Sequence, residues 1–242
     1  MRRFTRFAEK DSMKKSLAKI KKLFLDLFFP QFCVGCNTEG FLLCKKCEKN
    51  IIKIGEQVCP SCLRLNKNGK ICQKCAKNFE INGVLVGAYF EEGPIKEMIH
   101  NFKYNHALEL KKNLAKIMVN ALPADLKIDV ITFAPLHHQR LAERGFNQAE
   151  ILAQEVSKNI KIPSEELLVK TRYTKRQVGL SGKKRRTNLE GVFKVHKAES
   201  LKGKRILIVD DVTTTGATLN ECAKVLKNAG VKEVWGLVVA RG

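Results

Sequence analysis

Two adjacent carboxylates, Asp210 and Asp211, stand between a run of apolar residues and a segment rich in hydroxyl groups. The apolar run at 206–209 is typical of a buried strand in a parallel sheet, and residues 219–226 have the periodicity of an amphipathic helix. The segment between them consists of Thr213, Thr214, Thr215, Gly216, Ala217 and Thr218. Its backbone N–H groups, its hydroxyls and the positive end of the helix dipole favour an anion such as phosphate.

The carboxylates themselves would repel a phosphate, so they require a ligand with hydrogen-bond donors or a cation. Sugar hydroxyls and hydrated Mg²⁺ both meet this requirement. A phosphate, a sugar diol and Mg²⁺ together describe a phosphorylated ribose, which we take as the predicted ligand. The alternative is an acidic strand end followed by an ordinary helix that a Ser or Thr side chain caps.

Eight of the nine cysteines form four Cys-x-x-Cys pairs. The pairs are Cys33 and Cys36, Cys44 and Cys47, Cys59 and Cys62, and Cys72 and Cys75. Seven residues separate the first pair from the second, and nine separate the third from the fourth. This pattern indicates two copies of one unit. A disulfide framework would need a secretion signal, which we do not find, and a thioredoxin-like site would need one such pair. We therefore predict two structural zinc ions; short loops favour sequential pairing of the ligands, and crossed pairing stays open.

The net charge of +21 and the isoelectric point near 9.7 predict partners that carry phosphate groups, such as nucleotides, nucleic acid or an anionic membrane surface. The lysines of the cysteine module can face a nucleic-acid backbone or simply solvent. No stretch reaches the roughly 18 apolar residues of a transmembrane helix. Because we find no signal peptide either, we expect a cytoplasmic protein.

We expect three parts: a basic amphipathic helix within 1–32, a double zinc ribbon at 33–80 and an α/β domain at 81–242. The first helix is expected to pack on the protein, with contact to a membrane surface as the alternative. Strands are predicted at 83–90, 129–134, 205–209 and 234–240, and helices at 94–102, 108–121, 149–157 and 219–226, the third starting near Gly145. This alternation predicts a doubly wound, mostly parallel sheet whose carboxyl edge holds the ligand.

Basic groups are predicted near the same edge. Arg140 and Arg144 follow the second strand and suit a pyrophosphate, because a cation at a helix start opposes the helix dipole; the alternative is surface arginines. His137 and His138 can add hydrogen bonds or be merely solvated. Residues 172–186 contain seven basic residues and no acidic one, which predicts a loop that closes over the ligand, binds DNA phosphates or is disordered. Cys222 is expected to be a small buried hydrophobe.

The stretch at 206–219 resembles the signature of the type I phosphoribosyltransferases: an apolar strand, an acidic pair and a Thr-Thr-Gly-x-Thr-like loop. The resemblance implies that Asp210 and Asp211 face the ribose hydroxyls of phosphoribosyl pyrophosphate (PRPP), with Mg²⁺. It also implies that Thr214 to Thr218 hold the 5′-phosphate. Arg144 and Arg140 would then neutralise the departing pyrophosphate.

The whole chain is similar to the ComF family of phosphoribosyltransferase-like proteins. The likeness rests on the Leu-Phe-Phe-Pro at 27–30, the double zinc ribbon, the Ile-His-x-x-Lys-Tyr-like element at 99–104, the Arg-Gly-Phe-Asn-Gln at 144–148 and the loop at 177–188. It implies a role in the uptake and processing of single-stranded DNA during natural competence. The chain has no G-x-x-x-x-G-K-[ST] motif, so ATP-driven pulling would need a partner helicase.

Two functions follow from this reasoning. In the first, the protein transfers phosphoribose from Mg²⁺-bound PRPP to an unknown acceptor. In the second, it is a non-catalytic adaptor that senses PRPP or binds single-stranded DNA, since a fold does not determine a reaction. In either case the zinc module is the segment expected to cover the ligand, because only two residues follow the last predicted strand at 234–240.

Overall fold

A computed structural model describes residues 30–90, 93–105, 107–174, 189–196 and 198–242. The predicted N-terminal helix and most of the basic loop at 172–186 lie outside these residues. The described chain divides between Lys49 and Asn50 into two compact units. The domain boundaries at 32 and 80 stay predictions.

The larger unit contains a four-stranded parallel sheet in the order β1-β6-β5-β2. Its strands are β1 (Gly83–Tyr89), β2 (Val130–Phe133), β5 (Arg205–Thr213) and β6 (Glu233–Arg241). A short antiparallel hairpin adds β3 (Leu168–Lys170) and β4 (Phe193–Val195). The helices are α1 (Lys45–Lys49), α2 (Gln73–Ala76), α3 (Ile95–Tyr104), α4 (Lys111–Val119), α5 (His138–Arg144), α6 (Gln148–Ile160) and α7 (Ala217–Asn228). Single 3₁₀ turns lie at Lys67–Gly69, Leu108–Leu110 and Ala198–Leu201.

Helices cover both faces of the sheet, which explains why its strands are almost continuously apolar. Ile206 and Ile208 of β5 share a buried cluster with Leu219 and Cys222 of α7, together with the hairpin. On β1, by contrast, a Cβ at Gly87 would meet Ile117 of α4 on the other face. The predicted α/β fold with a mostly parallel sheet is therefore confirmed, and Cys222 is buried as expected.

The segment after β2 differs from the prediction. The third helix was expected to start near Gly145, but Gly145 instead ends α5, with φ of 80° and its N–H bonded to the Leu141 carbonyl at 2.8 Å. The next helix, α6, begins after Asn147, whose side chain accepts the Ala149 N–H at 3.0 Å. Glycine tolerates the left-handed conformation that closes a helix. Where one helix start was predicted near Gly145, α5 therefore ends, and α6 begins separately at Gln148.

No helix of the described residues combines the length and the apolar character that crossing a membrane requires.

Candidate functional site

The acid pair lies inside β5 rather than after it, because the strand continues to Thr213 instead of ending at residue 209. Each carboxylate accepts a neighbouring backbone N–H: Asp210 from Asp211 at 2.8 Å, and Asp211 from Val212 at 2.6 Å. These bonds take up one oxygen of each side chain. The pair is therefore held in place before any ligand binds.

Two lysines from distant parts of the chain meet the acid pair. Lys103 of α3 forms an ion pair with Asp211, with 2.9 Å between Nζ and Oδ2. Lys170 at the end of β3 lies close enough to Asp210 for their charges to interact, and its Nζ donates to Thr174 Oγ1 at 2.8 Å. Burial, and then the nearby charge of Arg140, lowers the pKa of Lys170 to about 8.

The pKa of Asp210 differs strongly from that of an ordinary aspartate. The residue keeps some solvent exposure, yet the protein packed around its carboxyl and the charge of Asp211 raise its pKa to about 7. Lys103 and Lys170 act in the opposite direction. A carboxyl with a raised pKa is easily protonated. A cation or a ligand rich in hydrogen-bond donors would therefore release a proton from it on binding.

The loop after β5 has the geometry of an anion site at a helix N-terminus. Gly216 has φ of 72° and directly precedes α7, a helix of 12 residues. Thr213 is buried, and its hydroxyl oxygen accepts the Gly216 N–H at 3.1 Å, so this side chain shapes the loop from within. Thr214 is exposed, and Thr215 and Thr218 are partly exposed. The first N–H groups of α7 lack intrahelical acceptors, as in every α-helix, and they suit a phosphate.

Arg140 and Arg144 lie on α5, Arg140 in its first turn, as the dipole argument expected, and Arg144 at its other end. Arg144 is the last residue of the helix, where the dipole favours a cation, so its presence there does not require an anionic ligand. Its guanidinium lies over the ring of Tyr104, 5.2 Å from the ring centre. Tyr104 follows Lys103 directly in the chain. Arg140 lies over Tyr173 at 5.6 Å. For Arg144, its position near Lys103, rather than the dipole, supports a role. Arg140 lies close enough to Lys170 for their charges to interact.

His137 is buried and belongs to the local structure. Its Nδ1 accepts the Gln139 N–H at 3.4 Å at the start of α5, and its ring lies 4.0 Å from that of His138. Burial, with the charges of His138 and Lys170, lowers the pKa of His137. A neutral imidazole that accepts a backbone hydrogen bond is a helix cap, so we assign it no direct contact with a ligand.

Among the described residues, two groups of four cysteines converge, with their ligand atoms within 4.8 Å of one another. The first contains Cys33, Cys36, Cys44 and Cys47, and the second contains Cys59, Cys62, Cys72 and Cys75. The ligands are therefore paired sequentially, as favoured above.

The two groups repeat one geometry. The Cys44 N–H donates to Cys33 Sγ at 3.3 Å, and the Cys72 N–H donates to Cys59 Sγ at 3.5 Å. A left-handed residue follows each first pair, Asn37 with φ of 59° and Leu63 with φ of 61°. Backbone donors that stabilise thiolates, and four sulfur atoms around one point, fit tetrahedral zinc with no open position.

The second cysteine group packs beside the loop at 213–218, which we call the phosphate-type loop. The Pro60 carbonyl accepts a hydrogen bond from Arg241 Nη2 at 3.2 Å, and a Cβ on Gly216 would stand 3.9 Å from Pro60 Cβ. Gln57 also exchanges two hydrogen bonds with the Val86 backbone on β1, at 2.9 and 3.1 Å. The second group thus lies where a cover over the strand ends would have to lie.

Comparison with known proteins agrees with both halves of this description. The model of the phosphoribosyl transferase domain matches residues 141–242, and that of the double zinc ribbon domain matches residues 24–82. Competence protein F of Haemophilus influenzae is 34% identical over 230 residues, 88% of this chain and 99% of that protein. The chain belongs to the ComF family. Competence protein ComFC of Streptococcus pneumoniae (29% identity, 79% of this chain and 84% of that protein) and DNA utilization protein YhgH of Escherichia coli K12 (28%, 87% and 98%) are also similar.

In this member of the ComF family, sequence reasoning missed the two lysines at the acid pair. Lys103 belongs to the Lys-Tyr end of the family element at 99–104, which gave a signal for family but none for its partner. Its ion pair joins residues more than a hundred positions apart, and only the packing of α3 brings them together. Lys170 ends a three-residue strand that was not predicted at all.

Proposed function

We propose that this ComF-family protein binds Mg²⁺-bound PRPP at the carboxyl edge of its sheet, as a phosphoribosyltransferase-like protein of DNA uptake in competence. One observation carries the proposal: Asp210 and Asp211 lie near the end of β5, and a hydroxyl-rich loop ending at Gly216 leads from that strand directly into α7. The loop and helix end suit the 5′-phosphate, and the carboxylates suit the ribose hydroxyls. The match of residues 141–242 to the phosphoribosyl transferase domain supports this reading.

The basic residues around the acid pair suit the pyrophosphate of PRPP. Four basic side chains lie at or near the acid pair: Lys103, Lys170, Arg140 and Arg144. Each can neutralise the charge that develops as pyrophosphate leaves C1 of the ribose. Lys103 must share Asp211 with the incoming ligand, since it already occupies one carboxylate oxygen. We expect its ammonium to turn from Asp211 towards the pyrophosphate on binding.

The carboxylates and the diphosphate would hold Mg²⁺ between them. Adjacent acidic oxygens with a raised pKa at Asp210 fit a hard divalent cation, because such a cation favours the ionised form. When bound, Mg²⁺ supplies charge neutralisation to the diphosphate. The protein residues then position the ribose, hold its 5′-phosphate and leave the C1 face open to an acceptor.

The pH dependence of PRPP affinity should show two limbs. Because the pKa of Asp210 is raised to about 7, the ligand must displace its proton below that pH, and affinity should rise as pH increases from 6 to 7. Because the pKa of Lys170 is lowered to about 8, its charge is lost above that pH, and affinity should then fall. Calorimetry between pH 6 and 9 measures this. Lys170→Arg should keep the charge and remove the alkaline limb. If the acid limb persists in Asp210→Asn, PRPP itself causes it.

The relatives named for competence and DNA utilization support a role in handling single-stranded DNA, and the net charge of +21 suits a polyanion. We propose that the protein acts in the cytoplasm, alongside a helicase that supplies ATP-driven movement. Binding of single-stranded DNA should weaken steeply with salt, since neutralised phosphates release counterions. A flat response to salt would contradict a charge-driven interaction.

An assay for pyrophosphate release separates the enzyme from the adaptor. The protein with Mg²⁺ and PRPP is incubated with a panel of bases, nucleotides and single-stranded DNA, and released pyrophosphate is measured. The enzyme hypothesis predicts release that depends on one class of acceptor and is lost in Asp211→Asn. PRPP binding without release for any acceptor would favour the adaptor.

A further inference from the structure

Arg241, at the end of β6, is a buried arginine with an incomplete set of partners. The residue is 9% exposed, and it lies opposite Thr213 in the register of β5 and β6. Its Nη2 donates to the Pro60 carbonyl at 3.2 Å. Nε and Nη1 are buried and have no hydrogen-bond partner within the part of the chain that the structure describes.

A buried guanidinium with unsatisfied N–H groups requires an anionic neighbour, because burial alone strongly disfavours its charge. Burial lowers the pKa of Arg241, and the thiolate of Cys59 acts in the opposite direction. Cys59 belongs to the second cysteine group. Four thiolates around one Zn²⁺ have a formal charge of −2, so the occupied site supplies the anion that Arg241 needs.

The same arginine also contacts the segment that supports the phosphate-type loop. Pro60 follows Cys59 directly, and its Cβ lies 3.9 Å from the position that a Cβ on Gly216 would take. The Gly242 N–H next to Arg241 donates to the Thr213 carbonyl at 3.1 Å, at the start of the loop. Arg241 therefore contacts the zinc-ligand segment through Pro60, and it lies beside the start of the loop through its pairing with Thr213 and the adjacent Gly242 N–H.

We propose that Arg241 is the buried counter-ion of the second zinc site and couples that site to the phosphate-type loop. Its positive charge balances the negative charge of the zinc-bound thiolates, and its Nη2 hydrogen bond to the Pro60 carbonyl keeps the cysteine segment against Gly216. Loss of zinc from Cys59, Cys62, Cys72 and Cys75 should therefore weaken PRPP binding. The second half of this inference rests on the proposed function, whereas the first half, the counter-ion, does not.

The test measures zinc affinity and PRPP affinity separately in the full chain. Zinc affinity of the second site is measured by competition with a colorimetric chelator, and PRPP affinity by calorimetry with Mg²⁺. Arg241→Met should weaken zinc binding about 10- to 100-fold, the usual cost of losing a partner that supports metal ligands. It should weaken PRPP binding on the order of tenfold, and Arg241→Lys, which keeps the charge, should recover part of both.

Two further variants separate coupling from a general loss of structure. Cys62→Ser should reduce bound zinc from two ions to one and weaken PRPP binding as much as Arg241→Met does. Arg205→Met is the matched control, because Arg205 pairs with Asp129 at the opposite end of the same sheet. It should lower the melting temperature while both affinities keep their wild-type values.

Wild-type zinc and PRPP affinities in Arg241→Met would overturn the inference, and so would wild-type PRPP affinity in Cys62→Ser. Equal losses in Arg241→Met and Arg205→Met would reduce Arg241 to a general structural role. If Arg241→Met does not fold, Arg241→Lys and Cys62→Ser decide by the same criteria. Absence of PRPP binding in the wild-type protein would instead contradict the proposed function, and the zinc measurement would still decide the counter-ion.

Discussion

Substituting asparagine for Asp211 should weaken the binding of Mg²⁺-bound PRPP on the order of 10- to 100-fold, as expected for the loss of one or two hydrogen bonds to a charged group. The substitution keeps the shape of the side chain but removes its charge, and it also releases Lys103 from its ion pair at 2.9 Å. Calorimetric titration with PRPP at fixed Mg²⁺ measures the change.

Asp129→Asn provides the matched control. Asp129 lies just before β2, where it pairs with Arg205 at the opposite end of the sheet from the acid pair. Hydrogen bonds from Arg205 lower the pKa of Asp129 to about 2, so its loss should cost stability. PRPP affinity should nevertheless stay at the wild-type value. Equal affinities for wild type and Asp211→Asn would remove Asp211 from the site.

Removal of zinc should unfold the cysteine segments while the parallel sheet persists. The first cysteine segment has few buried apolar side chains apart from Cys33 and Cys47, so it depends on its metal. Structural zinc contributes about 10–16 kcal/mol of apparent binding free energy in small zinc domains, more than such a segment can replace. Hydrogen exchange should show loss of protection around both cysteine groups after chelation and its recovery after zinc is restored.

The sheet provides the internal control for that experiment. Amides of β5 and β6 lie in a core formed by side chains such as Ile208, Leu237 and Val238, which are fully buried. We expect their protection to survive chelation. Unchanged protection in the cysteine segments of the zinc-free protein would show that zinc is dispensable for their fold.

The sheet could be predicted because its strands are short, apolar and separated by clear helical periodicities. Residues 206–209 and 234–240 are buried on both faces, and such runs are hard to mistake. The end of β5 was placed too early because two acidic residues usually stop a strand. Here their carboxylates accept adjacent backbone N–H groups, and pairing with β6 continues to Thr213.

The hairpin of β3 and β4 and the helix α5 were not predicted, for a different reason. Three-residue strands contain too few side chains to show a period of two, and α5 has seven residues with none buried. The two strands are stabilised by tertiary packing, with Leu168 and Phe193 against the α7 side of the core. Local pattern cannot detect elements of this kind.

Of the candidate site, the acid pair, the loop and the cysteine groups were predicted because each is contiguous or regularly spaced. The contacts between these parts were not. The Lys103 ion pair, the Lys170 position and the Arg241 bond to Pro60 all join residues that are far apart in the chain. Such pairings depend on topology and register, which residue types alone do not contain.

The most direct measurement is a calorimetric titration of the zinc-loaded, wild-type protein with PRPP in the presence and absence of Mg²⁺. Our account predicts saturable binding at one site per chain that requires Mg²⁺ for full affinity and that ribose 5-phosphate competes for more weakly, because it lacks the pyrophosphate. No detectable heat with PRPP and Mg²⁺, together with no shift in melting temperature, would contradict a PRPP site at Asp210, Asp211 and the loop that follows them.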